Sequence, residues 1–268
     1  MKGMVEMTTK EYNEIYKKNF KEYFDKSLKE DGYMKKGTIN FYRLNKLGLV
    51  EVLNFQRHYE ELTVNFGIST IYCGVFKNNK AIGGRLGDLK YGSDEWWQVE
   101  TEEDMKVNMP EILSVIRKEL YQWFRKYEDK EEYIKKVEES YNDNLINLNL
   151  IEAATAAKFR RYDEILPHIE KLRKEYKIAE ERNDIRLHYP KVLEEALLLE
   201  QKAKEGKESV DQYIVERERE FNRNRIRKTI KKEIKTPCIF EQLLSEYLRG
   251  LERRKDFNQY ELSKREAG

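Results

Sequence analysis

Several features are scarce in this sequence, and each scarcity excludes a class of protein. The 268 residues include two cysteines, Cys73 and Cys238, and three histidines, so neither a disulfide framework nor a structural zinc site is expected. Basic and acidic residues nearly cancel, at 52 against 50, which leaves no global field that would attract nucleic acid or a membrane. No apolar run approaches the ~18 residues that span a bilayer, and Met1–Lys10 lacks the apolar core of a signal peptide. We therefore expect a cytoplasmic protein without disulfides, membrane span, metal or cofactor.

What remains is a charged chain with enough apolar surface to fold. Hydrophobic residues make up 39% of the sequence and aromatic residues 12%, whereas a disordered chain would be poor in both. Charged residues reach 38%, which is typical of helices with wide exposed faces. The patterns change near residue 128. They predict an α+β domain over residues 1–128 and an all-helical extension over residues 129–268.

The first half alternates between helical and strand patterns. A helical stripe from Tyr12 to Leu28 ends at Gly32, a residue suited to the left-handed cap. After a loop from Asn78 to Asp104, a second helix is expected, with Asn108 as its N-cap and Pro110 in its first turn. Between the two helices, runs of β-branched and aromatic residues predict an antiparallel meander of about four strands, at Thr38–Leu44, Leu49–Arg57, Glu61–Ile68 and Thr70–Phe76. Both helices are expected to pack on the apolar face of this meander.

The second half carries no strand pattern beyond Lys130 and is predicted to form five or six helices, as a bundle or an arm. One stripe runs from Tyr133 to Leu145. Another helix is expected to begin at Pro190 and to end at Gly206, the usual positions for these two residue types. Residues 154–176 are weakly similar to a tetratricopeptide helix pair, but no second copy follows at the required period.

An ordered set of short motifs in the first half resembles a known family. The set begins with Gly37-Thr38-Ile39-Asn40-Phe41-Tyr42-Arg43 and continues with Val52-Leu53-Asn54-Phe55-Gln56 and Leu62-Thr63-Val64-Asn65-Phe66-Gly67-Ile68. It ends with Arg85-Leu86-Gly87-Asp88-Leu89 and Trp96-Trp97. Over about residues 15–125 the chain resembles the bacterial family catalogued as domain of unknown function 4304. The resemblance implies a small α+β domain and no particular activity, and it leaves the helical extension unexplained.

No arrangement of residues in the sequence indicates catalysis. His58, His168 and His188 stand in no metal-ligand spacing, although Glu164 and Asp184 precede the last two by one helical turn. Gly83-Gly84 fits neither nucleotide-binding glycine pattern and is interpreted as a turn. We therefore expect a protein that is not an enzyme.

Two candidate binding sites stand out instead. The first is the polar side of the meander, where strand alternation brings polar and aromatic residues toward one patch, namely Arg43, Asn54, Gln56, Asn65 and Arg85, with Trp96 and Trp97 at its edge. These side chains could form a recognition site, or they could simply satisfy one another.

The second candidate is a basic helix over residues 221–235, whose formal charge is +6 from seven basic residues and one acidic residue. At four-residue spacing, Arg223, Arg227, Lys231 and Lys235 form one strip, with Lys228 beside it. This strip could pair with acidic helices of its own chain, with an acidic protein or with nucleic acid.

The leading hypothesis is a protein-binding or self-assembling component of a bacterial conflict system, in toxin immunity, phage defence or phage counter-defence. It rests on the lack of catalytic spacing and on the long charged helical extension. The alternative is a nucleic-acid-associated protein that binds through the helix of residues 221–235.

Overall fold

The computed structural model describes residues 8–70, 82–140 and 144–233, with side chains up to residue 220. Within the whole chain, Met1–Ile214 forms one unit and Val215–Gly268 another. The division expected after residue 128 stays a prediction. Cys73 and Cys238 lie outside the described residues.

The first helical segment begins where a capping box satisfies its free backbone groups. It consists of α1 (Thr9–Phe20), a π-helical turn (Lys21–Asp25) and α2 (Lys26–Glu30). Thr8 Oγ1 accepts from the Glu11 amide, and the Glu11 carboxylate accepts from the Thr8 amide in return. Gly32 follows with a φ of 87°, a left-handed conformation that glycine adopts without a steric penalty. The predicted helix and its terminating glycine are confirmed.

Within the described residues, six strands form one antiparallel sheet in the order β1-β2-β3-β4-β5, with β6 paired to β4. Their bounds are β1 (Met34–Lys36), β2 (Asn40–Leu44), β3 (Val50–His58), β4 (Glu61–Ser69), β5 (Ile82–Arg85) and β6 (Trp97–Gln98). The first three predicted strands are confirmed as β2, β3 and β4. The fourth, Thr70–Phe76, lies outside the described residues except for Thr70, which is not in a strand.

The region expected to be a loop between residues 78 and 104 contains regular structure. It holds β5, the short helix α3 (Leu86–Tyr91) and β6. The interpretation of Gly83-Gly84 as a turn is wrong, because both residues belong to β5. A Cβ atom on Gly83 would lie 2.0 Å from the Phe66 carbonyl oxygen, so this strand approaches β4 too closely for a side chain.

The second helical segment starts earlier than predicted. It runs through α4 (Glu102–Val115), a π-helical turn (Ile116–Leu120) and α5 (Tyr121–Lys126). Its N-cap is Thr101, which forms a capping box with Asp104, whereas Asn108 lies inside the helix and donates to the Gln98 carbonyl. Pro110 also lies inside the helix. The capping box of Thr101 and Asp104 therefore sets the start of the helix. The positions of Asn108 and Pro110, on which the predicted start rests, do not.

Both helical segments pack on one face of the sheet, as predicted. Phe24 of the first segment meets Phe55 of β3 with ring centroids 4.5 Å apart, and Trp123 of α5 meets Phe66 of β4 at 4.9 Å. A fully buried ring such as that of Phe24 or Phe55 contributes about 1.5–3 kcal/mol through the apolar surface removed from water. The opposite face of the sheet carries Asn40, Asn54 and Asn65.

Helices alone follow α5 within the described residues. They are α6 (Lys130–Glu138), α7 (Leu145–Lys158), α8 (Tyr162–Glu181), α9 (Tyr189–Glu205) and α10 (Lys207–Glu233). The stripe from Tyr133 to Leu145 is divided, because Asn144 caps a new helix. The helix predicted from Pro190 to Gly206 is confirmed as α9.

Helices α7, α8 and α9 pack against one another. Ala153, Ala154, Ala156 and Ala157 of α7 are buried, and such small side chains allow helices to approach closely. None of the described helices combines the length and the apolar character that crossing a bilayer requires. The fold is thus an α+β domain followed by a helical region, as expected.

Candidate recognition surface on the sheet

Four polar residues stand directly opposite one another on four neighbouring strands. Asn40 of β2 is opposite Asn54 of β3, Asn54 is opposite Asn65 of β4, and Asn65 is opposite Arg85 of β5. Directly opposed residues share a face of an antiparallel sheet, so these four side chains form one row, here called the polar ladder. The row lies on the face that the two helical segments leave uncovered.

Hydrogen bonds connect the polar ladder from end to end. Arg85 Nε donates to Asn65 Oδ1 at 3.4 Å, and Asn65 Nδ2 donates to Asn54 Oδ1 at 3.2 Å. Asn54 Nδ2 donates to Asn40 Oδ1 at 2.8 Å. Asn65 Nδ2 also donates at 2.9 Å to Oε1 of Gln56, which stands two residues further along β3. Each amide is thereby held by its neighbours in a single orientation.

Trp96 extends this surface at its outer edge. The pairing of β6 with β4 places Trp96 next to Thr63, which is opposite Gln56. The guanidinium carbon of Arg85 lies 5.2 Å from the centre of a Trp96 ring, a distance at which the two attract. Thr63 is buried, and its hydroxyl has no hydrogen-bond partner within the described part of the chain.

The structure brings together five of the seven residues predicted for this patch, namely Asn54, Gln56, Asn65, Arg85 and Trp96. Their role in binding stays a prediction. Arg43 does not join them, because it is opposite Glu51 and therefore lies on the helix-covered face. Trp97 is 4% exposed and belongs to the core, since neighbouring residues on a strand point to opposite faces.

Two members of the surface were missed in the sequence. Asn40 completes the polar ladder, and its alternation with the apolar Phe41 was the available signal. Asp94 forms an ion pair with Nη1 of Arg85 from the turn before β6. No sequence pattern links Asp94 to Arg85, because α3 separates them.

Arg43 belongs to a second polar cluster, on the helix-covered face. Its Nε donates to Glu51 Oε2 at 2.7 Å, and Tyr33 donates to the same oxygen at 3.1 Å. The guanidinium lies between the rings of Tyr33 and Tyr121, at 4.5 and 4.7 Å from their centres. Tyr121 in turn donates to Asp31 at 2.7 Å. These contacts join the end of α2, the sheet and α5, so the cluster supports the fold.

Burial sets the titration of this second cluster. It raises the pKa of Glu51 above its usual value, against the lowering effect of Arg43. Burial also raises the pKa of Tyr33 well above its usual value, and the charge of Glu51 raises it further. The pKa of Tyr121 is raised by burial and by its hydrogen bond to Asp31. The tyrosines therefore stay protonated in the folded protein well into the alkaline range.

The three histidines lie in different surroundings. His58 is exposed at the end of β3, whereas Nδ1 of His168 lies 2.9 Å from Oε2 of Glu152. His188 Nε2 contacts Nδ2 of Asn147 at 3.2 Å. Over the residues that the structure describes, no three potential metal ligands come together.

The basic helix predicted over residues 221–235 is described only through its backbone. Helix α10 continues to Glu233, so Arg223, Arg227, Lys228 and Lys231 belong to one helix, as expected. Lys235 lies outside the described residues.

The fold and the polar ladder define a small α+β domain with one helix-covered face and one polar face. Residues 24–126 match the family described as Domain of unknown function (DUF4304), which confirms the resemblance seen in the sequence. Comparisons with curated proteins and with solved structures found no match.

Proposed function

We propose that this protein is a binding protein that recognises an extended segment of a partner protein on the polar face of its sheet. The observation that carries the proposal is the polar ladder, together with Trp96 and Gln56 beside it. Arginine and tryptophan are enriched at sites that dominate protein recognition. Here Arg85 and Trp96 are partly exposed beside the amides of the ladder, of which Asn65 is only 8% exposed. The conflict-system setting expected from the sequence, in toxin immunity, phage defence or counter-defence, stays part of this proposal and rests on the sequence alone.

The composition of the ladder favours recognition over a purely structural role. Asparagine is depleted in β-strands, because its side chain competes for backbone hydrogen bonds. Three asparagines nevertheless stand at one register on adjacent strands. A neutral hydrogen bond contributes only about 1 kcal/mol net, and threonine or valine would suit these strand positions better. The hydrogen bonds of the ladder therefore explain its asparagines less well than a binding role does. The residues at its two ends, Asn40 and Arg85, are partly exposed and can contact a partner.

A photo-crosslinking amino acid placed at Gln56 tests the proposal in the cells that produce the protein. The matched control carries the same amino acid at Lys118, which is exposed on the π-helical turn between α4 and α5. We expect a defined crosslinked protein species from position 56 that is absent from position 118. The same products from both positions, or none from either, would contradict a partner site on the polar face.

A second candidate function is binding to nucleic acid through α10. It is supported by the continuous helical backbone up to Glu233, which gives Arg223, Arg227 and Lys231 the one-turn spacing that a strip of phosphate contacts requires. The logarithm of affinity for duplex and single-stranded probes should then fall with the logarithm of salt concentration. Reversing the charge at these three positions should flatten that slope by roughly one for each phosphate that is no longer neutralised. An absence of binding at low salt would exclude this function.

A further inference from the structure

The direction of the hydrogen bonds in the polar ladder is fixed by one residue. A guanidinium only donates, so Asn65 must turn its Oδ1 atom toward Arg85 and its Nδ2 atom toward β3. That orientation requires acceptor oxygens from Asn54 and Gln56, and the amide nitrogen of Asn54 then requires the oxygen of Asn40. Every amide in the row is therefore oriented by Arg85, although amide oxygen and nitrogen have nearly the same shape.

This one-way chain ends in hydrogen-bond donors. Asn40 Nδ2 and Gln56 Nε2 contact no acceptor among the described residues, although both side chains are partly exposed. Nη2 of Arg85 also makes no hydrogen bond in that part of the chain. The surface thus presents three sets of donors, while each amide oxygen of the ladder and of Gln56 already accepts a hydrogen bond. A ligand that complements it must supply acceptor oxygens.

Asp94 shows which acceptor suits Arg85. Its carboxylate pairs with Nη1, and both side chains are partly exposed, Arg85 at 33% and Asp94 at 46%. An exposed ion pair is worth at most about 1 kcal/mol, so an incoming carboxylate can replace Asp94 at small cost. Two other nearby carboxylates already have partners, since Asp88 accepts from the Arg85 amide and Glu61 accepts from Gln98.

From this arrangement we infer that the surface binds the side-chain carboxylate of an aspartate or glutamate in the partner segment, and that Asp94 occupies the same position on Arg85 until the partner arrives. The inference rests on the proposed function and deepens it. The ligand carboxylate pairs with Arg85 in place of Asp94. Carbonyl or carboxylate oxygens of neighbouring residues in the partner segment accept hydrogen bonds from Gln56 and Asn40. Trp96 packs against the apolar part of the segment. Three strand spacings of ~4.8 Å separate Arg85 from Asn40, a distance that about four extended residues cover.

The test uses the full chain and two synthetic probes. One is an acetylated, amidated hexapeptide that alternates glutamate with serine, and the other replaces each glutamate with glutamine. Neither probe has a terminal charge, so binding of the first reports side-chain carboxylates alone. Calorimetry should show at least tenfold tighter binding of the glutamate probe. Equal affinities for the two probes would overturn the carboxylate assignment.

Three variants locate the site. Asp94→Asn keeps the shape of the side chain but removes the competing charge. It should tighten binding of the glutamate probe by about three- to tenfold, because Arg85 is then no longer paired with a carboxylate before the probe binds. Arg85→Lys keeps the charge but loses the planar donor set, and it should weaken binding about tenfold or more. Lys118→Gln removes one positive charge elsewhere and should leave the affinity unchanged.

Gln56→Ala keeps the inference testable if the Arg85 variant does not fold. It removes a donor beside the polar ladder but leaves Arg85, which orients the row, in place. A several-fold loss of affinity in this variant, with an unchanged melting curve, supports the inference. Unchanged binding in both Arg85→Lys and Gln56→Ala would overturn it. If the crosslink from position 56 is obtained while the glutamate probe fails to bind, the proposed function stands and only the carboxylate assignment falls.

Discussion

Arg43 and Glu51 form an ion pair on the helix-covered face of the sheet, with Nε and Oε2 2.7 Å apart and the Glu51 side chain only 2% exposed. They stand directly opposite each other on β2 and β3. Tyr33 donates a second hydrogen bond to the same carboxylate oxygen. A buried pair of this kind can be nearly neutral for stability as a whole, while the loss of one partner strands the other charge.

We expect Arg43→Met to lower the free energy of unfolding by about 3 kcal/mol or more, because Glu51 is left buried without its cation. The combined change Arg43→Met with Glu51→Leu should cost less than the sum of the two single changes. Urea denaturation of the three variants measures this coupling. Since burial raises the pKa of Glu51, the cost of Arg43→Met should shrink at acidic pH, where the stranded carboxylate takes up a proton.

The matched control is the exposed pair of Lys46 and Glu128, whose atoms are 2.7 Å apart but whose lysine is 81% exposed. Lys46→Ala should change the free energy of unfolding by about 0.5 kcal/mol or less, because water screens exposed pairs. Strict additivity of the Arg43 and Glu51 changes, or equal costs at the buried and exposed pairs, would show that burial does not set the energetics.

Alkaline pH should destabilise the protein through its buried tyrosines. Burial raises the pKa of Tyr16, Tyr33 and Tyr121 in the folded state. Above a pH of about 10, the unfolded chain loses these protons while the folded chain keeps them, so the folded state binds more protons. Stability must therefore fall as pH rises, by about 1.4 kcal/mol per pH unit for each such tyrosine.

Tyr16→Phe isolates one of these contributions, because no other residue depends on its hydroxyl for a hydrogen bond among the described contacts. The free energy of unfolding of this variant should run parallel to that of the wild type between pH 7 and 9. Above about pH 10 it should fall less steeply, and the difference in slope should be about 1.4 kcal/mol per pH unit, the contribution of one proton. Denaturant titrations at a series of pH values measure the two slopes. Identical slopes above pH 10 would mean that Tyr16 ionises freely in the folded protein.

The sequence predicts the faces of the sheet better than the register of its strands. Alternation in β3 correctly separates Leu53 and Phe55 from Asn54 and Gln56, since side chains point to opposite faces in turn. The grouping of Arg43 with the polar patch is not found, because Arg43 is opposite Glu51. The sequence contains a sign of this position in Glu51, which lies two residues from Leu53 and therefore on the same, apolar face of β3. A buried carboxylate on that face requires a cation beside it.

The alignment of Asn40, Asn54, Asn65 and Arg85 could not be predicted in the same way. It depends on the lengths of two hairpin turns and on the pairing of the four-residue strand β5, which is too short and too rich in glycine to carry a strand pattern. Asp94 reaches Arg85 only because α3 returns the chain toward β4. Contacts of this kind follow from the three-dimensional path and not from local spacing.

Thr101 should contribute measurably to stability as the N-cap of α4. Its hydroxyl accepts from the Asp104 amide at 3.1 Å, and the Asp104 carboxylate accepts from the Thr101 amide at 2.8 Å. Thr101→Ala should cost about 1 kcal/mol, whereas Thr101→Ser keeps the hydroxyl and should cost much less. Thermal and urea unfolding compare the two variants. A similar loss in both would assign the effect to the methyl group of Thr101 and not to the cap.

The two glycines of β5 should respond very differently to the same substitution. A Cβ atom at Gly83 would lie 2.0 Å from the Phe66 carbonyl oxygen and 2.8 Å from the Gly67 Cα atom, both of which are backbone atoms held by the sheet. At Gly84 the nearest atom is the far end of the Phe66 ring at 3.3 Å, which can shift slightly.

We therefore expect Gly83→Ala to destabilise the protein by at least about 2 kcal/mol, because β5 must move away from β4 to admit the methyl group. Gly84→Ala should cost less than about 1 kcal/mol, since only a ring edge has to yield. Equilibrium unfolding gives the two values, and hydrogen exchange of the amides in β4 and β5 shows whether the strands separate. Because Arg85 is the last residue of β5, Gly83→Ala should also loosen the polar ladder, with faster exchange of the side-chain amide of Asn65. Equal costs at both positions would contradict the close approach of β5 to β4.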